Sequence, residues 1–311
     1  MQIIPVPIPF IRLVQRPFLR AEVPVLCALF LLVASGCTLA RPAAPGAWPA
    51  ALGAPVSSAR DIRLVVNDGF AIGYDSVREQ AAWVAYRLRP IGPYRSMPRP
   101  SFISDPRLPR RDPTPVYTGP DYDRGHLAPN YAMSQVYGTR AQRQSFYYTN
   151  VAPQRPRLNQ LVWQRFEEIE IDDIARDESP LWVMLGPIAA DSSSVPQAFF
   201  RIWLARTASG EWEAAAFVVP QSVRGDEPLS RFVVSIDRIE ALTGLDFLPR
   251  LDMTRQAALE SEPAPARRFR LATLACEPAR YAPRWQGRDG IRLDFERCEE
   301  QQKTRRGDAD E

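Results

Sequence analysis

An α+β fold built on a central antiparallel sheet follows from three features of the 311-residue chain. Short apolar runs recur along it, and the turn signature Asn67-Asp68-Gly69 joins the first two. Strand-like and helix-like stretches then follow one another without the regular strand–helix–strand alternation of a parallel sheet. Apolar residues make up 45% of the sequence, enough for a substantial buried core.

Residues 1–36 stand outside that fold. Arg12, Arg16 and Arg20 precede an apolar run from Val25 to Val33 that ends in small residues, the pattern of a secretory signal peptide. The run is shorter than the ~20 residues that cross a bilayer. Leu32-Val33-Ala34-Ser35-Gly36-Cys37 resembles a bacterial lipobox, with Ala34 where leucine is usual. The expectation is export, with Cys37 acylated and the chain held by lipid to the bacterial envelope, on its periplasmic or cell-surface side. Residues 37–58 are rich in Ala and Pro and read as a tether, residues 59–298 as the folded domain, and the charged residues 299–311 as a disordered tail.

Within the domain, Ile62 to Val66 and Phe70 to Tyr74 form the predicted hairpin, and Trp83 to Leu88 adds a strand. Pro90 to Pro120, rich in Pro, Arg and Ser, has no periodicity and reads as an irregular surface segment. Phe146 to Val151 reads as a strand. Arg157 to Ile174 reads as an amphipathic helix with Leu161, Phe166, Ile169 and Ile174 inward, and Pro153 and Pro156 stand ahead of it. Strands are expected at Leu181 to Leu185, Phe199 to Leu204, Ala214 to Val219 and Phe232 to Ser235.

Cysteine usage agrees with export. Cys27 leaves with the signal and Cys37 carries lipid, so Cys276 and Cys298 are natural disulfide partners, with two buried thiols as the alternative. Closing their loop of about twenty residues is worth ~3 kcal/mol. A tetrahedral metal site on this pair lacks further ligands.

Charge is distributed unevenly. Arg87 to Arg165 holds thirteen arginines against four aspartates and no glutamate, whereas Phe166 to Glu311 has nineteen basic and 27 acidic residues. Such a basic block is the footprint of a polyanion binder, because phosphate contacts release counterions without reading sequence. A solvated basic face is the plain alternative.

His126 is the one histidine, in Tyr122-Asp123-Arg124-Gly125-His126-Leu127-Ala128-Pro129-Asn130. This excludes a zincin, which needs two histidines a helical turn apart. The sequence also lacks the Gly-x-Ser-x-Gly elbow of many serine hydrolases. Alone, such a histidine reads as readily as a structural residue. Downstream lie Thr149-Asn150-Val151-Ala152-Pro153-Gln154 and then Asn159, Trp163 and Glu167, whose i, i+4, i+8 spacing lines one helical stripe. Asn159 serves equally as a helix cap or as an oxygen ligand for Mg²⁺. Trp163 suits the core, and Glu167 suits a solvated face or a metal's outer shell.

Together, Asp-Arg-Gly-His, Thr-Asn-x-x-Pro-Gln and Asn-x-x-x-Trp-x-x-x-Glu resemble the DNA/RNA non-specific endonuclease family of the ββα-metal class. The resemblance runs from Asn67-Asp68-Gly69-Phe70 through Leu185-Gly186-Pro187 to Leu242-Thr243-Gly244-Leu245-Asp246-Phe247. It implies a ββα-metal motif and hydrolysis of phosphodiester bonds in DNA and RNA, dependent on Mg²⁺ or on Mn²⁺ in its place. It further implies His126 as general base near its ordinary pKa of about 6.5, Asn159 as metal ligand and Glu167 as holder of metal-bound water. Arg124 would support the site or the substrate backbone, with Asp123 and Asn150 as structural support. The family's phosphate-binding arginine precedes an Asp-Pro pair, here Asp105-Pro106. Strict spacing puts it on Pro100, so Arg99 takes the role with a one-residue shift. Two further departures are Ile171 in place of an arginine one turn after Glu167, and Phe146 in place of an asparagine. The alternative is a nucleic-acid-binding lipoprotein of the same fold without turnover; a purely structural envelope lipoprotein is disfavoured by the arginine block.

Overall fold

The computed structural model describes residues 46–108, 121–177, 180–190, 193–265, 267–274, 280 and 282–285. All fall in one compact unit spanning Pro42–Glu311. The signal peptide, Cys37, the Cys276–Cys298 pair and the charged tail lie outside the described residues.

Seven antiparallel strands form the main sheet: β1 (Ile62–Val66), β2 (Phe70–Asp75), β3 (Gln80–Leu88), β6 (Leu181–Ala190), β7 (Ser193–Arg206), β8 (Trp212–Pro220) and β9 (Val233–Val234), in that spatial order. A separate two-stranded ladder pairs β4 (Asp123–His126) with β5 (Val151–Gln154). The Asn67-Asp68-Gly69 turn joins β1 to β2 as its sequence requires: Val66 pairs with Ala71, Asn67 N–H donates to the Phe70 carbonyl, and Gly69 takes a positive φ.

Both faces of the sheet are covered, which explains why its strands read as apolar runs. Val84, Tyr86, Phe199 and Trp203 face one layer, whereas Trp83, Ala85, Phe200 and Ile202 face the other, following the two-residue alternation of a strand. A helical run over 158–177 covers the first face through Val162, Phe166, Ile169, Ile171 and Ile174. It is built of Leu158–Trp163, Gln164–Ile169, Glu170–Ile174 and Ala175–Asp177, the first and third of these with wide i→i+5 turns. The helices Ile236–Thr243 and Met253–Glu260 lie on the second face, each with a side-chain cap, from Ser235 and Asp252.

Two expectations change. Residues 46–58, assigned above to the tether, belong to the folded body. Ala47 and Leu52 are buried in the second layer, Trp48 meets Trp83 edge-on at 5.9 Å, and Val56 bridges to Asp246. Small apolar side chains that looked like linker composition fill gaps beside the large rings. Residues 146–151 are not a strand: only Tyr147 makes a bridge, to Ile103, before the tight turn Tyr148–Asn150 and the start of β5 at Val151. The cause is Asn150, whose buried amide donates to the Ala128 and Ser145 carbonyls and accepts the Ala128 N–H, drawing the chain out of a sheet path.

Candidate active site

The short β4–β5 hairpin and the first half of the 158–177 helix bring together the residues singled out in the sequence. In the ladder His126 pairs with Val151, Gly125 with Ala152, Arg124 with Pro153 and Asp123 with Gln154. Gly125 is required there: a Cβ at this position would overlap the side chain of Gln154, which is itself fully buried. Beyond the strand, Leu127 N–H donates to the Asn150 carbonyl, so backbone and side chain of Asn150 both hold the chain that leaves His126.

Two contacts join hairpin to helix. Trp163, fully buried, donates its indole N–H to the His126 carbonyl at 3.3 Å. Asn159 Nδ2 donates to Asp123 Oδ2 at 2.9 Å, and Gln160 Nε2 reaches the same oxygen at 2.7 Å. The amide of Asn159 is thereby oriented: its nitrogen is engaged, and its oxygen makes no hydrogen bond among the described residues. A neutral oxygen donor set in this way suits a hard divalent cation, so the chemistry of the position fits the metal that the resemblance implies.

His126 lies between two rings, Phe102 at 5.1 Å and Phe146 at 4.6 Å between centroids. Each ring also carries an arginine: Arg124 stands 5.3 Å from the Phe102 centroid and Arg99 5.1 Å from that of Phe146. The imidazole is 9% exposed and its Nε2 has no hydrogen-bond partner. Burial, reinforced by the charge of Arg99, pushes its pKa down to about 3. This corrects the expectation of a base near 6.5: the imidazole is neutral, but because its surroundings are apolar and cationic.

Glu167 responds in the opposite sense. Burial raises its pKa to about 8, and the pull of Arg201 offsets this only in part, while Glu170 and Glu168 push it further up. Arg201, on β7, and Glu170 are fully buried and form an ion pair at 2.9 Å. Tyr86 donates its hydroxyl to the same carboxylate at 3.0 Å, and Trp203 donates its indole N–H. The Arg201 guanidinium also lies 4.2 Å from the Trp163 centroid. This buried cation thus acts from the sheet on the side chains of the helix.

The site therefore contains His126, Arg124, Asp123, Asn150, Asn159 and Glu167, and Arg99 is close enough to act on both His126 and Glu167. Ile171 is buried in the core, so the place of the family's later arginine faces the sheet. The basic block is also less available than its total suggests. Arg165 is buried and donates to the Glu227 carbonyl, and Arg107 is bound to Asp105, Asn67 and the Val66 carbonyl. The sequence reading missed Phe102, Gln160, Glu170 and Arg201. Gln160 follows a named residue, and an arginine within an apolar strand run is itself a signal, whereas nothing marks Phe102 in its irregular segment.

Known proteins resemble this chain in sequence and in fold. The sequence model of the DNA/RNA non-specific endonuclease family matches residues 50–253. The chain is 32% identical to mitochondrial endonuclease G of Bos taurus over 276 residues, covering 79% of this chain and 90% of that one. It is 28% identical to a nuclease of Serratia marcescens over 230 residues, covering 68% and 85%. A chain from the crystal structure of the EndoG/EndoGI complex shares the fold, with a TM-score of 0.55 at 21% identity over 62% of this chain and 88% of its own. The chain belongs to the DNA/RNA non-specific endonuclease family and is an enzyme of its class.

Proposed function

We propose that this protein is a divalent-metal-dependent endonuclease that hydrolyses DNA and RNA without reading sequence, with His126 as general base and Asn159 as the ligand of a Mg²⁺ ion. The observation that carries the reading is the joining of the two residues. His126 and Asn159 sit on different elements, yet Asp123 at the start of β4 and the His126 carbonyl at its end are both tied to the helix, through Asn159 and Trp163.

In this reading a neutral His126 accepts the proton of the water that attacks phosphorus, and the negative charge of a substrate phosphate entering its apolar, cationic pocket raises its proton affinity toward the range a general base needs. Bound metal would supply charge stabilisation for the phosphoryl oxygens and the leaving 3′ oxygen. Asn159 holds it through an amide oxygen, Glu167 accepts hydrogen bonds from water around it, and Arg99 and Arg124 contact the substrate backbone. Contacts to phosphate confer affinity but no base preference. The product would carry a 5′ phosphate. On sequence alone, we further propose export, acylation at Cys37, anchoring to the bacterial envelope and a Cys276–Cys298 disulfide.

The test is to incubate the purified protein with plasmid DNA and with RNA, in Mg²⁺ and after chelation. Degradation of both that stops on chelation is expected. Intact nucleic acid in Mg²⁺ would favour a binding protein of the same fold.

A further inference from the structure

Three carboxylates converge on the sheet face opposite His126. Asp237 and Glu240 are one turn apart on the helix Ile236–Thr243, and Glu260 ends the helix Met253–Glu260. One oxygen from each lies within 4.8 Å of the other two. The two helices pack on each other and on β8, and Ile236 and Ile239 anchor the first of them in the second apolar layer, whereas Leu127 and Trp163 beside His126 belong to the first.

Glu260 makes this more than a surface patch. It is 3% exposed, and its Oε1 has no hydrogen-bond partner. A buried carboxylate oxygen left unpartnered is costly unless a charge or a donor meets it. The charges around it are all negative, from Glu240, Asp237 and Asp246, and the Gln256 amide is the neutral donor that reaches this carboxylate, leaving Oε1 without a partner. Among the described residues none of these four carboxylates has an ion-pair partner. Glu240 is held in place, since one of its oxygens accepts the Phe247 N–H at 2.7 Å, leaving the other for the cluster. Asp237 is exposed, so the cluster opens to solvent on one side.

Either a proton or a cation must relieve this arrangement. Three carboxylate oxygens within 4.8 Å of one another, one of them on a buried side chain, disfavour three bare charges. A proton relieves one carboxylate, whereas a cation relieves all three and explains why they converge from two helices. A Ca²⁺ ion holds oxygen ligands at about 2.3–2.6 Å in flexible geometry, so ligands on opposite sides of it stand roughly 4.6–5.2 Å apart. The separations here fit within that span. We propose that Asp237, Glu240 and Glu260 form a Ca²⁺-class site, independent of the metal held by Asn159, which staples the two helices together.

The test is thermal unfolding of the full chain, stripped with chelator, dialysed and titrated with Ca²⁺ to millimolar concentration. The Asn159→Ala variant removes the proposed catalytic ligand and isolates the second site. A saturable rise in Tm of several degrees is expected in both wild type and Asn159→Ala, and its loss in Glu260→Gln. Asp237→Asn changes an exposed residue and provides the same test should Glu260→Gln fail to fold. Calorimetric titration should show one fewer Ca²⁺ bound in Asp237→Asn than in wild type. No Tm rise and no binding heat in Asn159→Ala, or an undiminished response in Glu260→Gln and Asp237→Asn, would overturn the proposal.

Discussion

Asn159 donates its amide N–H to Asp123 across 2.9 Å, so the residue proposed to hold metal is oriented by the strand that carries the proposed base. Asp123 also receives Gln160 at 2.7 Å, which makes it a shared anchor for the start of the helix. Replacing Asp123 with Ala frees the Asn159 amide to rotate. Partners that orient a ligand are typically worth about 10–100-fold in metal affinity or activity. The Mg²⁺ concentration giving half-maximal cleavage should rise by about that factor in Asp123→Ala. An unchanged requirement would remove Asp123 from the account.

Because His126 is the one histidine, its titration can be followed by NMR without ambiguity. Its pKa is lowered to about 3, first by burial between Phe102 and Phe146 and then by Arg99. The imidazole signals should not shift between pH 8 and 5, and in Phe102→Ala they should titrate nearer the ordinary value of about 6.5. The unfolded chain takes up this proton near pH 6.5 and the folded chain only near 3, so the associated stability is complete above 6.5 and is lost as pH falls toward 3. A wild-type midpoint above 5.5 would contradict the packing around the base.

Glu167 should trade stability for function. Its folded pKa is raised to about 8 against 4.5 unfolded, so its stabilising effect is full below 4.5 and is lost as pH rises through 8. Glu167→Gln cannot ionise. In metal-free protein its Tm should exceed that of wild type by an amount that grows from pH 5 to pH 9. Cleavage in Mg²⁺ should fall at the same time. A Tm difference independent of pH would show that Glu167 does not carry the shifted charge.

Much of this architecture is written locally. Asn67-Asp68-Gly69 specifies its hairpin, and the apolar positions of 157–174 find the site helix, because turn chemistry and helical period are short-range properties. The motif residues His126, Asn159 and Glu167 were also identifiable, yet their environment was not. The ordinary pKa assigned to His126 failed because Phe102 reaches it from a segment with no periodicity. Arg201 was overlooked because its partner Glu170 is thirty-one positions away and only strand alternation turns the two toward each other. Residues 46–58 misled because Ala and Pro composition describes a linker as well as it describes gap-filling beside Trp83.

In the proposed mechanism His126 and Asn159 act together in breaking the phosphodiester bond. The most direct measurement is single-turnover cleavage of a defined DNA duplex at saturating enzyme and Mg²⁺, comparing wild type with His126→Ala, alongside DNA binding and Tm. General-base catalysis contributes roughly 10²–10⁴-fold. His126→Ala should therefore lose at least about a hundredfold in rate while binding DNA and unfolding like wild type. A His126→Ala protein that folds, binds DNA and cleaves at the wild-type rate would contradict the account.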